Sequence, residues 1–340
     1  IDFTWQIPLR ERVELAAGAL RNMSLQADQL APVVLLCGHG SRTENNPYGA
    51  ALDCGACGGH KGDVNARFAA ALFNDPDVRE GLRLRGVEIP DDTVFLAGLH
   101  VTTTDDVILF DAVRIPAAKR AVVEGWLRAA AARARRERAR SMMADSEVLA
   151  AGEVEREVRR RSADWSEVRP EWGLAGNAAF VAARRDRTLG LDLGGRAFLH
   201  EYDWCADEDN SVLTLILTAP VVVASWINLQ YYGSTVNNRV FGSGNKVLHN
   251  VVGRFGVWEG NGGDLRTGLP LQSLHDGQKW VHEPLRLQVF LEAPRARIDA
   301  VLRANAGVRN LVENEWIFLH AIEEESAYLC KAVSDWRKVA

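Results

Sequence analysis

Residues Val33 to Asn74 read VVLLCGHGSRTENNPYGAALDCGACGGHKGDVNARFAAALFN. The apolar run Val33 to Cys37 is short, partly β-branched and stopped by glycine, the pattern of a strand buried on both faces of a parallel sheet. Such a strand delivers Gly38-His39-Gly40-Ser41 to its carboxyl end. The loop that follows is longer than the roughly 12 to 15 residues of ordinary connections, as functional loops often are. It carries Asn45, Asn46, Pro47, Asp53, Cys54, Cys57 and several glycines, small residues that let backbone approach a ligand closely. From Asp63 the pattern turns helical: Val64, Phe68 and Leu72 recur at i, i+4 and i+8, Asp63 is placed to cap the start, and Asn74-Asp75-Pro76 stops it.

Outward from this stretch the same grammar repeats. Upstream, Val13, Ala16, Ala17 and Leu20 give Leu9 to Leu25 the apolar stripe of an amphipathic helix. Downstream, a second helical piece covers Asp77 to Arg85, and Thr93 to Leu99 forms a second strand followed by His100, Thr102, Thr103, Thr104, Asp105 and Asp106. Strand, helix, strand with polar residues after each strand predicts an α/β fold with a parallel or mixed sheet and flanking helices. Ligands in open α/β sheets bind beyond the carboxyl ends of strands, so His39 and His100 are expected as neighbours at one crevice.

Ala117 to Trp165 is rich in Ala, Arg and Glu and predicts one or two long helices. Glu124 with Arg128, Glu155 with Arg159 and Glu157 with Arg161 stand at the i, i+4 spacing, and the interleaved acids favour a solvated face over a docking surface. Val212 to Leu229 is the most apolar stretch, about the ~18 residues of a membrane-span candidate. Pro220 splits it, Thr214, Thr218, Ser225 and Asn228 dilute it, and no basic flank anchors it, so a buried strand or helix pair, or a contact with a partner, is the preferred reading. The glycine-rich loops around Gly242-Ser243-Gly244 and from Gly260 to Gly268 fit neither the P-loop spacing nor the dinucleotide fingerprint. Leu285 to Leu291, a helix after Pro294 and a closing strand at Trp316 to Ile322 make a further α/β unit, expected to be architectural. The segments group as an α/β half-domain (1–116), an Arg/Ala-rich helical segment (117–170) and a C-terminal α/β region (171–340).

The 340 residues, 47% hydrophobic and 25% charged, suffice for one large or two ordinary globular domains. A formal charge of −5 gives no reason to expect nucleic acid as a partner. Five scattered cysteines are not a secreted disulfide framework and point to a reducing compartment. Asp2, Arg10, Glu11, Arg12 and Glu14 leave no room for a secretory leader in the first thirty residues, and a chain beginning at Ile1 is read as a piece of something longer.

Fourteen residues separate His39 from Cys54. Imidazole and thiolate suit a borderline-soft ion such as zinc, and a tetrahedral site needs four ligands, so Asp53, Cys57, His60 and His100 are further candidates. A turn-capping histidine with small buried cysteines is the structural alternative. Cys54-Gly-Ala-Cys57 as a thiol redox pair is another, although Gly58-Gly59 argues against the helix N-terminus such chemistry uses. A phosphatase-type nucleophile at Cys37 is set aside because Arg42 falls one place short of the usual spacing.

GHGSRTENNP, LDCGACGG, NARFAAALFN and FLAGLHVTTTD, followed by APVVVASWINLQYYGSTVNN and FGSGNKVLHNVVGRFGVWEGNGGDLRTGLPLQS, resemble the DabA family, a subunit of a bacterial inorganic carbon accumulation complex. The resemblance covers nearly the whole chain and implies a zinc site like that of β-class carbonic anhydrases on a similar core. His39 and Cys54 match the family's downstream ligand pair; the other two ligands belong to a Cys-x-Asp-x-Arg segment that would precede Ile1, so this chain resembles the C-terminal part of such a protein. The function implied is zinc-assisted hydration of CO2 to bicarbonate in the complete protein, with the catalytic Asp-Arg pair upstream and with Asp53, Cys57 and His100 supporting the site. The resemblance also implies a membrane-embedded, proton-conducting DabB-like partner and a peripheral place on the cytoplasmic side of the bacterial inner membrane. A non-catalytic zinc protein that docks a partner is the rival from another class.

Overall fold

The computed structural model describes residues 6–25, 30–44, 53–54, 57–143, 145–166, 174–253, 256–260 and 263–339. Asn45, Asn46 and Pro47, expected in the ligand loop, lie outside the described residues. The chain divides into two units of mixed α/β structure, 1–173 with 251–255 and 174–250 with 256–340.

In the first unit, α1 (Leu9–Asn22) precedes β1 (Val33–Gly40), which runs parallel to β2 (Val94–Val101). β3 (Asp106–Phe110) returns antiparallel, giving the order β1-β2-β3. Between β1 and β2 lie α2 (Asp63–Asn74) and α3 (Pro76–Arg83). Val13, Ala16 and Leu20 of α1 are buried as the spacing predicts, packed with Phe73, Val78, Leu82, Phe95 and Ala97. Two local expectations change. Asp63 does not cap α2: Gly62 occupies the cap position, with no side-chain bond, and Asp63 is the first helical residue. Of the expected face, Leu72 is buried and Phe68 packs against the core, while Val64 is exposed; Ala66, Ala70 and Phe73 complete the inward face, the alanines letting the helix lie close to the sheet. Asp75 caps α3 instead, accepting from the Asp77 and Val78 amides at 2.9 and 3.3 Å. Asn74 bonds both the amide (3.0 Å) and the carbonyl (2.7 Å) of Phe95, extending the ladder where β3 has stopped.

β1 is not buried on both faces. Most of its residues are half-exposed, and among the described residues no strand pairs with its outer edge. The apolar run encodes two buried faces, and among the described residues one is covered, by the cluster that α1, α2 and α3 build.

After β3 come α4 (Ala117–Met142) and α5 (Ala151–Ser162), joined by Ala139, Met142, Met143, Val154 and Val158. The pairs Glu124–Arg128, Glu155–Arg159 and Glu157–Arg161 form at 3.9, 3.0 and 3.0 Å. The expectation of a wholly solvated arginine face is corrected, since Arg135 is buried and Arg138 nearly so, and both reach the β2–β3 turn.

In the second unit, β4 (Ala179–Ala183) and β5 (Ala197–Glu201) open a six-stranded sheet. α6 (Ser211–Thr218), α7 (Pro220–Val236) and the short α8 (Asn238–Phe241) follow, then β6 (His249–Val252), which crosses the unit boundary after Asn250, and β7 (Gly256–Glu259). β8 (Leu287–Glu292), α9 (Arg295–Ala304), α10 (Ala306–Glu313) and β9 (Ile317–Glu323) form the predicted α/β unit. β10 (Ser326–Ala332) and β11 (Asp335–Lys338) extend it, so the strand at 316–322 does not close the sheet. The order is β11-β10-β9-β8-β4-β5, with β9, β8, β4 and β5 parallel. Leu287, Val289 and Leu291 alternate inward with Ile317, Leu319 and Ala321, against Leu213, Ile216 and Leu217 of α6 and Ile298 and Leu302 of α9.

The apolar stretch is therefore a helix pair, broken at Ala219 before Pro220. Ser211–Val236 is apolar enough to cross a membrane by length and composition, with mean hydropathy 2.0, and 44% of its most apolar window is buried inside the chain.

Candidate metal site at the end of β1

His39 is the penultimate residue of β1 and shares a rung with His100 of β2. Alternation along the strands puts Cys37 and His39 on the same face as Gly98 and His100, opposite the face packed on the helices. Gly98 makes room on that face for its neighbours on β1: a Cβ there would stand 3.0 Å from Leu35 Cδ1 and 3.5 Å from Cys37 Sγ.

The cysteine loop returns to this strand end at both of its own ends. The Ser41 amide and hydroxyl donate to Asp53 Oδ1 at 2.6 and 3.1 Å, which sets Asp53-Cys54 beside the residues just past His39. The Cys54 amide donates to the His60 carbonyl at 3.0 Å, and Cys57 and Gly59 donate back to the Cys54 carbonyl at 3.1 and 3.0 Å, closing a tight turn. Gly58 and Gly59 sit in that turn at φ +65° and +79°, where a side chain is strained. The Gly62 amide then donates to the His39 carbonyl at 2.8 Å, and the Gly38 and Gly62 backbones approach so closely that a Cβ on Gly38 would overlap the Gly62 carbonyl. Asp53 is thus tied to Ser41, two residues after His39, with Cys54 next to it in the chain and His100 across the rung from His39.

Burial lowers the His39 pKa; the Asp53 carboxylate opposes the shift and His100 adds to it. The ring is therefore neutral at pH 7, the form that binds a metal. The Cys57 thiol is pushed up to about 11 by burial and by the hydrogen bond and charge of neighbouring Cys54, with the Asn65 amide, 3.2 Å from Sγ, acting the other way. Disulfide exchange needs the reverse, a thiol of depressed pKa.

His100 is held from behind. Its Nε2 lies 3.1 Å from Asp105 Oδ1, and Arg138 Nη2 donates to the same oxygen at 2.7 Å. Asp105 is 4% exposed and has φ +57°. Arg135 Nε donates to the Thr104 carbonyl at 2.7 Å and its Nη2 to Asp106 at 2.5 Å, so two helical arginines clamp one turn. The acid pair after β2 is visible in the sequence; its partners at the i, i+3 positions Arg135 and Arg138 are hidden among many similar arginines.

Among the described residues, no three His, Cys, Asp or Glu side chains converge closely enough to hold a metal ion. The donors at this strand end fit zinc in kind, imidazole and thiol, and fall short of it in number.

The sequence profile of the family described as probable inorganic carbon transporter subunit DabA matches residues 4–317. A relative of that name from Chloroflexus aggregans is 59% identical over 319 residues, covering 93% of this chain and 37% of the relative. One from Roseiflexus castenholzii is 58% identical over 317 residues, 92% of this chain and 37% of the relative. A DabA 1 from a Bradyrhizobium species is 58% identical over 315 residues, with the same coverage of 92% and 37%. No solved structure matches. The chain spans little more than a third of the length of these relatives and, on the match of its sequence over 4–317, belongs to the DabA family.

Proposed function

We propose that this chain is part of a subunit of an inorganic carbon uptake complex, in which His39 and Cys54 provide two of four zinc ligands of a β-carbonic anhydrase-like site that hydrates CO2 to bicarbonate. The observation that carries the reading is the return of Asp53-Cys54 onto the strand end beside His39 through the Ser41–Asp53 bonds. The remaining ligands are assigned to a Cys-x-Asp-x-Arg segment outside this chain, and the unpaired edge of β1 offers a strand from that segment a place to add.

A bound zinc supplies the acidification of water, whose pKa falls from about 16 toward about 7. The chain's own residues do the rest. His39 presents a neutral imidazole nitrogen; Asp53 braces the loop through Ser41; His100 is fixed by Asp105, which Arg138 anchors in turn. Buttressing of this kind commonly changes metal affinity or activity about 10- to 100-fold.

Metal content of the full-length protein tests the assignment. His39→Ala and Cys54→Ser should each lose zinc while Cys57→Ser retains it; unchanged zinc in the first two sinks it. The rival, a zinc protein without turnover, predicts bound metal but no accelerated CO2 hydration in the assembled complex.

The relatives are called transporter subunits, which supports a place in a multi-subunit transporter complex; the membrane-embedded, proton-conducting partner and the cytoplasmic side are the finer part of this proposal. α7 favours such a contact: it buries Val221, Ala224 and Tyr231 with Ser225, Asn228 and Ser234, and still leaves Trp226 61% exposed, a large apolar side chain on its outer face. Asn228 Nδ2 donates inside to the Asn177 side-chain oxygen at 2.9 Å. Val221 is fully buried, so polar substitutions there would test folding, and Trp226→Glu is the better probe. A complex that copurifies undiminished with folded Trp226→Glu removes this face as the contact.

A further inference from the structure

In the second unit the chain leaves β4 toward β5 on one side and leaves β8 through α9 and α10 toward β9 on the other. The carboxyl ends of β4 and β8 are therefore a topological switch point, where diverging connections leave a crevice in open α/β sheets. A cleft of about 600 Å³ lies there, lined by Arg184, Arg187, Trp204, Glu292, Glu323 and Tyr328 among others. That volume is in the range of small-molecule sites.

The charges in the cleft are not equivalent. Glu292 is 5% exposed and committed: its Oε1 accepts from Arg187 Nε at 2.9 Å and its Oε2 from the Arg184 amide at 3.1 Å. Glu323 is occupied by the Arg295 amide and Nε at 2.7 and 3.0 Å, and Asp203 by the Cys205 amide at 2.9 Å, while Glu324 also lines the cleft and is a carboxylate that the two arginines must outweigh for an anion to bind. The Arg184 guanidinium, by contrast, approaches acids only at ion-pair range, 3.7 Å to Glu292 and 3.7 Å to Asp186, and Arg187 Nη1 stands 3.9 Å from Glu325. The buried carboxylate thus anchors two arginines whose terminal N–H groups make no close bond to it. A guanidinium fork matches two oxygens on one planar centre. Trp204 and Tyr328 add aromatic walls, with Arg297 over the first ring and Arg295 over the second.

We propose that the cleft at the carboxyl ends of β4 and β8 binds a small planar oxyanion, the carboxylate of an organic acid or bicarbonate, on the guanidinium groups of Arg184 and Arg187. The site uses none of the residues assigned to zinc and lies in the other unit.

Calorimetric titration of the full-length protein at constant ionic strength with sodium acetate, benzoate, bicarbonate and chloride tests it. The expected result is saturable binding of at least one oxyanion below about 10 mM and none of chloride. Binding by bicarbonate identifies inorganic carbon as the ligand; binding by acetate or benzoate alone identifies an organic acid. Binding should persist in His39→Ala, which separates this site from the zinc site. Arg184→Lys keeps the charge, loses the fork and leaves Glu292 its Arg187 partner, so it should fold with an unchanged Tm and bind at least about tenfold more weakly. No saturable oxyanion binding, equal binding of chloride, undiminished binding in Arg184→Lys, or loss in His39→Ala each overturns the proposal.

Discussion

His100 shares its rung of the β1–β2 pair with His39 and is tied by its Nε2 to Asp105, 3.1 Å away, so the ring opposite the candidate ligand is positioned by a buried carboxylate. Arg138 shares that carboxylate oxygen at 2.7 Å. Asp105→Asn keeps a residue tolerant of φ +57° and removes the charge, and is expected to cost about 2 to 3 kcal/mol, the scale of hydrogen bonds to charged groups. A double-mutant cycle with Arg138→Met should give a coupling of at least about 1 kcal/mol in urea unfolding. Strict additivity would show that the two groups do not act as a pair.

Glycine substitutions should change sign with place. Gly38→Ala drives a Cβ into the Gly62 carbonyl and is expected to destabilise by about 1 to 3 kcal/mol, with zinc lost from the full-length protein. Gly125→Ala, inside α4 with nothing near its new methyl, should stabilise by roughly 0.5 to 1 kcal/mol. Thermal unfolding of the two variants reads both effects.

Acid should weaken the second unit through His282. The side chain is fully buried, its Nδ1 accepts the Gly176 amide at 2.9 Å, and burial, helped by the Arg196 charge, depresses it to about 4. In the unfolded chain a histidine titrates near 6.5. Between those values the unfolded state takes up a proton that the folded state refuses, so stability is full above about pH 6.5 and falls as pH drops toward 4, by up to roughly 3 kcal/mol. Unfolding free energy measured against pH should lose this slope in His282→Gln; an identical slope refutes the assignment.

Cys57, at about 11, carries little thiolate at pH 8. In metal-free protein, iodoacetamide should modify exposed Cys205 at least about tenfold faster than Cys57, read by peptide mass spectrometry. Rapid labelling of Cys57 would revive a redox role for the thiol pair.

The sequence by itself determined the α/β class, the parallel pairing of the strands that end in His39 and His100, the break at Pro220, though not that helices flank it, and the family. All of these follow from local periodicity, from turn and breaker residues, or from long motifs. It did not reveal β10 and β11, because the two-residue connection Glu324-Glu325 carries none of the Asn-Gly or Asp-Gly chemistry that marks a hairpin. The inward face of α2 was legible at Phe68 and Leu72 but not at Val64, which is exposed, since apolarity alone does not mark the alanines that the close helix–sheet approach selects. The site divides in the same way. His39 and Cys54 were legible as residue types that suit a metal. That Asp53 closes the loop through Ser41, and that Arg138 reaches across 33 positions to the Asp105 that holds His100, was decided only by tertiary structure. Long-range hydrogen bonds depend on where helices pack, and packing leaves no periodic mark on the residues that exploit it.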